Sequence, residues 1–228
     1  EAFMVVVYPY KEANSSELEW SVKSLKNIEH DMILVVGDNP HLDDVVYIPY
    51  EPTGFGCYGA YNNQISKYEQ ALRWIPDGEV MLMNDDFFIM KPTEPQNYNR
   101  GTIQDHMDWR NKPDSYQTSL ERTKSHLEGL GLRTLDFELH IPFFTTKAHL
   151  STAIDEIKPL FRKNLQLRSY IGNRFNYESE FMNDVKSIDD YAGKRFLSTN
   201  EVTFMTGNIG KYIRDNLRRL QFALLPEI

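Results

Sequence analysis

Asn84-Asp85-Asp86 is the part of the sequence best equipped for chemistry. The apolar run Val80-Met81-Leu82-Met83 precedes it and Phe87-Phe88-Ile89-Met90 follows it. A solvated turn has little reason to sit between two apolar tetrads, and desolvated carboxylates are costly unless a positive charge meets them. A hard divalent cation bridging a diphosphate is one such partner. Mg2+ and Mn2+ take oxygen ligands, few of them carboxylates, and share phosphate oxygens with the substrate. Such an ion would stabilise charge developing on a departing nucleoside diphosphate. Neighbouring strand residues point to opposite faces. The expectation is therefore that Asp86 binds the metal directly and Asp85 contacts ribose or a metal-bound water, unless a turn begins at the pair. A plain surface turn is the competing reading.

Elements that would position this triplet can be read along the chain. Phe3-Met4-Val5-Val6-Val7-Tyr8 is a short β-branched apolar run, expected to be a buried strand ended by Pro9. Ser16 and Glu19 have capping-box spacing, and Leu18, Val22 and Leu25 lie on one helix face. Met32–Val36 and Val45–Ile48 read as further strands, and Glu51–Gly59, with Pro52 and three glycines, as a loop. A helix over Tyr61–Trp74 leads to the strand Val80–Met83, which places the acid pair at a strand's C-terminal end, where open α/β sheets bind ligands. Residues 93–114 are polar and poorly periodic and read as a long loop or lid; Pro52–Gly59 is a second candidate lid. Helices are expected around Tyr116–Leu127 and Leu150–Ile157, a short run over Asp136–His140, and a last helix through Ile209, Ile213, Leu217 and Leu220. Residues 168–200 carry no clear period.

The same topology would flank a nucleotide with the ends of the first two strands: Tyr8, Pro9, Tyr10 and Glu12 on one, Asp38 on the other. Tyr8 or Tyr10 would stack on a base, against ordinary packing as the alternative. Asp38 would accept from base or ribose hydroxyls, against capping of the turn at Asn39-Pro40.

Composition narrows the class. The chain has 228 residues, 41% hydrophobic, enough for one domain with a sizeable core. It is expected to be a single catalytic domain over 1–228, with a nucleotide-sugar-binding half at 1–92 and an acceptor-side half at 93–228. Its one cysteine, Cys57, excludes an internal disulfide and a multi-cysteine zinc site. No apolar stretch is long enough to span a membrane, no secretory signal is evident, and a cytoplasmic setting is expected. The net charge of −8 disfavours a nucleic-acid surface.

Met83-Asn84-Asp85-Asp86-Phe87-Phe88-Ile89-Met90-Lys91-Pro92 resembles the signature of the Stealth family of sugar-phosphate transferases, and more closely a group of phage-encoded glycosyltransferases related to them. Other segments are similar in order and spacing: Glu17–Leu25, Tyr61-Asn62, Glu138-Leu139-His140-Ile141-Pro142, Arg168-Ser169-Tyr170 and Phe196–Glu201. The resemblance covers roughly residues 3 to 205. It departs at Tyr8–Glu12, where Stealth proteins have a Trp-Val-Asp-Gly-like motif.

The resemblance implies a GT-A-like fold, α/β, with a Rossmann-type mixed sheet flanked by helices and a helical C-terminal portion. It implies a nucleotide-sugar donor, a UDP-sugar being favoured, and Mn2+ or Mg2+. His140 would serve as metal ligand, phosphate contact or acid/base; the remaining histidines are read as structural. Arg168 would clamp phosphate, and Asn62 would contact donor or acceptor, with helix capping as its alternative. Asp136 or Glu138 would deprotonate an acceptor hydroxyl. Three activities compete: glycosyl transfer, which leads; sugar-1-phosphate transfer; and a binding module without turnover. The acceptor would be a hydroxymethylated DNA base, a virion protein or a glycan, in the host cytoplasm if the chain is phage-encoded. A DNA acceptor would call on Lys211, Arg214, Arg218 and Arg219, which more simply form a solvated helix face; Asp189-Asp190 and the net charge weigh against it.

Overall fold

The computed structural model describes residues 3–12, 16–185 and 195–198. In chain order the elements are β1 (Met4–Tyr10), α1 (Glu17–Ser24), β2 (Met32–Gly37), β3 (Val46–Pro49), α2 (Ala60–Ala71), β4 (Glu79–Leu82), β5 (Phe87–Ile89), β6 (Tyr98–Asn99), α3 (Ile103–Arg110), α4 (Ser115–Gly129), β7 (Phe143–Thr146), α5 (Lys147–Ile157), α6 (Leu167–Arg174), β8 (Glu180–Phe181) and β9 (Phe196–Ser198). The expected terminal helix with its four basic residues, Asp189-Asp190 and Thr199–Glu201 lie outside the described residues.

A five-stranded sheet has the order β3-β2-β1-β4-β7, with β3, β2, β1 and β4 parallel and β7 antiparallel to β4. This is the expected α/β architecture, a Rossmann-type mixed sheet flanked by helices. Side-chain alternation divides the core into two layers. Val5, Val7, Leu34, Val36, Val80 and Leu82 face Ile65, Tyr68 and Ala71 of α2, together with apolar residues of α4, α5 and α6. Met4, Val6, Tyr8, Val35 and Met81 face Leu18 and Leu25 and the residues Phe87 and Ile89 of β5. At about 1.5–3 kcal/mol for each fully buried aliphatic side chain, this two-sided burial dominates the stability of the sheet. Strand order reverses between β1 and β4. The crevice at their C-terminal ends is the topological switch point, where sheets of this kind open a ligand site.

Several local expectations are corrected. β1 continues through Pro9 to Tyr10. Its ladder with β4 ends at Val7↔Leu82, so Pro9 has a strand partner only in β2, and a residue without an N–H is tolerated there. Ser16 makes no side-chain cap, and Glu19 instead pairs with Lys23 at 2.6 Å. Residues 93–114 are not a structureless lid. They contain β6 and α3, the latter begun by a capping box between Thr102 and Asp105. Its weak apolar period hid it, because the inward side of α3 includes a histidine, His106. The 136–140 run forms no strand, since its backbone is tied mainly to side chains.

Candidate active site at the end of the central strand

The acid pair sits in a tight turn. The Phe87 N–H donates to the Asn84 carbonyl at 3.2 Å, so Asp85 and Asp86 occupy the bend between β4 and β5 and strand alternation does not govern them. Two sets of struts hold this turn. From α1, Ser21 donates to the Phe87 carbonyl and shares a 2.9 Å bond with the Tyr8 hydroxyl, and Ser24 accepts from the Ile89 N–H; from the 3-10 turn that follows α1, Asn27 donates to the Ile89 carbonyl. From α2, Gln64 donates to the Asn84 side-chain oxygen at 3.2 Å and to the Tyr68 hydroxyl at 3.4 Å. Ser21 and Ser24 lie on α1. Their work is to fasten β5, and with it the turn.

Asp86 is 7% exposed, and its carboxylate accepts from the Ser198 hydroxyl at 3.2 Å. Burial, then the neighbouring charge of Asp85, raise its pKa to about 7. Burial, then Glu17, raise Asp85 to about 6. Among the described residues no Lys, Arg or His nitrogen pairs with either carboxylate within 4.0 Å. Two adjacent desolvated carboxylates are a donor set suited to a hard, oxygen-preferring ion.

The sheet-edge residues divide. Tyr8 is fully buried, and Tyr10 is buried with it in the layer under α1, so neither ring is offered to a base. The reason is register: even-numbered residues of β1 point into that layer. Asp38 is exposed and accepts from the Glu12 N–H at 2.7 Å, which ties the ends of β1 and β2 together. Between these strand ends lies a residue that sequence patterns do not single out. Lys67 of α2 is 6% exposed and donates to the Tyr10 carbonyl. Its amine is pushed below the usual range by burial, against the pull of Asp38 and Asp85. Space there is tight. Gly37 has φ 147°, and a Cβ on it would lie 1.8 Å from the Tyr10 oxygen.

On the other side stands a group from the second half of the chain. Arg168 of α6 is 6% exposed, not a surface arginine. Its Nη1 donates to the carbonyls of Leu139 and Ile141 at 3.0 and 3.1 Å, and its guanidinium lies 5.1 Å from the Phe87 ring centre. Its Nη2 is buried without a hydrogen-bond partner among the described residues. Beside it, Glu138 accepts from the Ser169 N–H at 3.0 Å; burial raises its carboxyl, opposed by Arg168. His140 meets the same Phe87 ring edge-on at 5.9 Å. Phe87, the residue after the acid pair, therefore touches both Arg168 and His140.

Other expected site residues have different work. Asp136 is fully buried and committed: its carboxylate accepts from the Glu138 N–H, meets Nδ1 of His106 and lies 3.8 Å from Arg100. Of the two candidate bases, Glu138 is the one beside Arg168. Asn62 neither caps a helix nor lies open to substrate. It is 2% exposed and donates to Tyr58, Phe161 and Asn164, pinning α2 to the segment before α6. His140 turns Nδ1 to Asp184, and among the described residues no group of three His, Cys, Asp or Glu converges as a metal site. His140 thus does not complete a ligand set with Asp85 and Asp86. Asp184 had no sequence signal. Burial raises its carboxyl, but His140 and Arg100 outweigh burial and hold it well below the usual carboxylate range.

Among the described residues no helix is long and apolar enough to cross a membrane. No protein-family model matches the chain, and no curated protein matches it. A solved structure of 2-C-methyl-D-erythritol 4-phosphate cytidylyltransferase from Thermus thermophilus aligns over 99% of this chain and 100% of its own, at 12% identity and a TM-score of 0.42. A likeness of that size carries no argument about activity. The fold assignment rests on strand order and packing.

Proposed function

We propose that the chain is a metal-dependent glycosyltransferase that moves a sugar from a nucleotide-diphosphate sugar to a hydroxyl acceptor. The observation that carries this reading is the pair of desolvated carboxylates, without an ion-pair partner among the described residues, in the turn after β4, at the switch point of the sheet. The resemblance of residues 83–92 to Stealth-related phage glycosyltransferases supports it from the sequence side. Asp86, with Asp85, would hold Mn2+ or Mg2+, and a bound ion would neutralise charge on the departing diphosphate. Arg168 would direct Nη2, which has no hydrogen-bond partner among the described residues, to a phosphate oxygen. Glu138, its pKa raised by burial, is the better placed of the two carboxylates to take a proton from the acceptor.

Arg168 also favours a second reading, transfer of sugar-1-phosphate. A buried guanidinium nitrogen without a hydrogen-bond partner among the described residues, on the Phe87 ring that His140 also meets, suits charge developing on a transferred phosphoryl group. One experiment separates the two. The purified protein is incubated with a panel of nucleotide sugars and Mn2+, and the released nucleotide is identified by chromatography, with Asp86→Ala in parallel. Nucleoside diphosphate, lost in the variant, supports glycosyl transfer. Nucleoside monophosphate overturns it in favour of phosphate-linked transfer.

A further inference from the structure

Asp136 and Glu138 stand two residues apart, and the fold gives them different work. Asp136 is fully buried. Its Oδ1 accepts from the Glu138 N–H at 2.8 Å and from the Ser169 hydroxyl at 3.4 Å. Its Oδ2 meets Nδ1 of His106 and lies 3.8 Å from Nε of Arg100. Both carboxylate oxygens are therefore committed inside the protein.

Glu138 is held at three points. Its N–H goes to Asp136, its carbonyl accepts from Nη2 of Arg100 at 3.2 Å, and its Oε1 accepts from the Ser169 N–H at 3.0 Å. Ser169 thus touches both carboxylates, the one through its hydroxyl and the other through its backbone. Residues 136–141 form no strand, so no ladder fixes this segment and these side-chain bonds take its place.

Donor and acceptor rules fix the proton behind Asp136. Nε2 of His106 faces Nη1 of Arg100 at 3.1 Å. Arginine has no acceptor, so Nε2 carries a lone pair and the His106 proton is on Nδ1, towards Asp136. His106 is buried on α3. The clamp therefore runs in one direction: His106 and Arg100 fix Asp136, and Asp136 fixes the Glu138 main chain.

We propose that Asp136 is a positioning residue for Glu138: locked by His106 and Arg100, it holds the backbone from which the Glu138 carboxylate projects beside Arg168. The catalytic consequence rests on the reading in which Glu138 takes the acceptor proton; the positioning itself does not. A buried, fully bonded carboxylate of this kind acts through the residue it orients.

The test has two arms, both on the full chain. The first needs only the folded wild type. With 15N-histidine labelling, two-bond 1H–15N correlation at pH 8 is expected to show His106, assigned by its loss in His106→Gln, as the Nδ1–H tautomer. Amide hydrogen exchange is expected to show the Glu138 N–H as protected. An Nε2–H tautomer, or a Glu138 N–H that exchanges as freely as an exposed amide, overturns the proposal. The second arm measures nucleotide release from the nucleotide-sugar panel with Mn2+. Glu138→Gln is expected to lower kcat by about 1,000-fold, within the range of a lost general base. Asp136→Asn keeps one side-chain oxygen for the Glu138 N–H and is expected to retain at least about a tenth of wild-type kcat, with donor KM within about threefold. Asp136→Ala is expected to lose about 100-fold, and its combination with Glu138→Gln to fall no further than Glu138→Gln alone. Losses that multiply overturn the positioning role. A loss in Asp136→Asn as large as in Glu138→Gln also overturns it, because Asp136 would then be the proton acceptor itself. Should Asp136→Ala not fold, Asp136→Asn and the first arm decide. Absence of any turnover in the wild type overturns the transferase reading, while the first arm still decides whether Asp136 holds Glu138.

Discussion

Asp86→Asn removes a charge that the fold holds at a disadvantage, while Asn keeps an oxygen for the Ser198 hydroxyl. The side chain is 7% exposed, and its pKa rises from 3.8 to about 7 through burial and then the charge of Asp85. A folded-state pKa above the unfolded one gives a contribution that is fully present below about pH 4 and lost as pH rises through about 7. About three pH units at 1.36 kcal/mol each set an upper bound of about 4 kcal/mol on the penalty at pH 8. Asn never ionises and escapes that penalty, and it also relieves Asp85. In chelator-containing buffer, urea denaturation should find the variant within about 0.5 kcal/mol of wild type at pH 4 and more stable by about 2–4 kcal/mol at pH 8. On heating, this gain corresponds to about 5–15 °C in Tm for a chain of this length. A variant no more stable than wild type at pH 8 would refute the account of the turn as a desolvated anionic site.

Further outcomes follow from the same geometry. Mn2+ affinity, measured by calorimetry, should fall as pH drops below about 7, where Asp86 takes its proton, and fall more steeply below about 6, where Asp85 follows; a flat profile between pH 5 and 8 contradicts this. Ser21→Ala removes the hydroxyl bonded to both Tyr8 and the Phe87 carbonyl, and should cost about 1–3 kcal/mol in urea titration and weaken Mn2+ binding through the displaced turn. Lys67→Ala leaves the Tyr10 carbonyl without that donor and should destabilise by about 2–3 kcal/mol; an unchanged midpoint would mean that the buried ammonium gives no net stabilisation. Gly37→Ala sets a methyl group against the Tyr10 carbonyl at a positive φ, and should cost about 3 kcal/mol or more, read as loss of soluble folded protein or a sharply lowered Tm.

The sequence by itself determined the frame and the place of the acid turn. Buried parallel strands such as Met4–Val7, Leu34–Val36 and Val80–Leu82 are continuous apolar runs, a signal carried by each segment alone. The same holds for the helical periods that became α4 and α5 and for the apolar tetrads around Asn84-Asp85-Asp86. A local signal was also missed, since Thr102 and Asp105 have capping-box spacing and mark the start of α3. Only the tertiary structure decided which polar groups meet. His106 finds Asp136 30 residues away, His140 finds Asp184 at 44, and Asp86 finds Ser198 at 112. It also decided that Tyr8 and Tyr10 are core, that Asn62 is a strut and that Arg168 is buried against Phe87. Periodicity encodes which face of an element is apolar. It does not encode which buried donor will face which acceptor, because that pairing is set by how the layers pack and by the high cost of leaving either partner unmet.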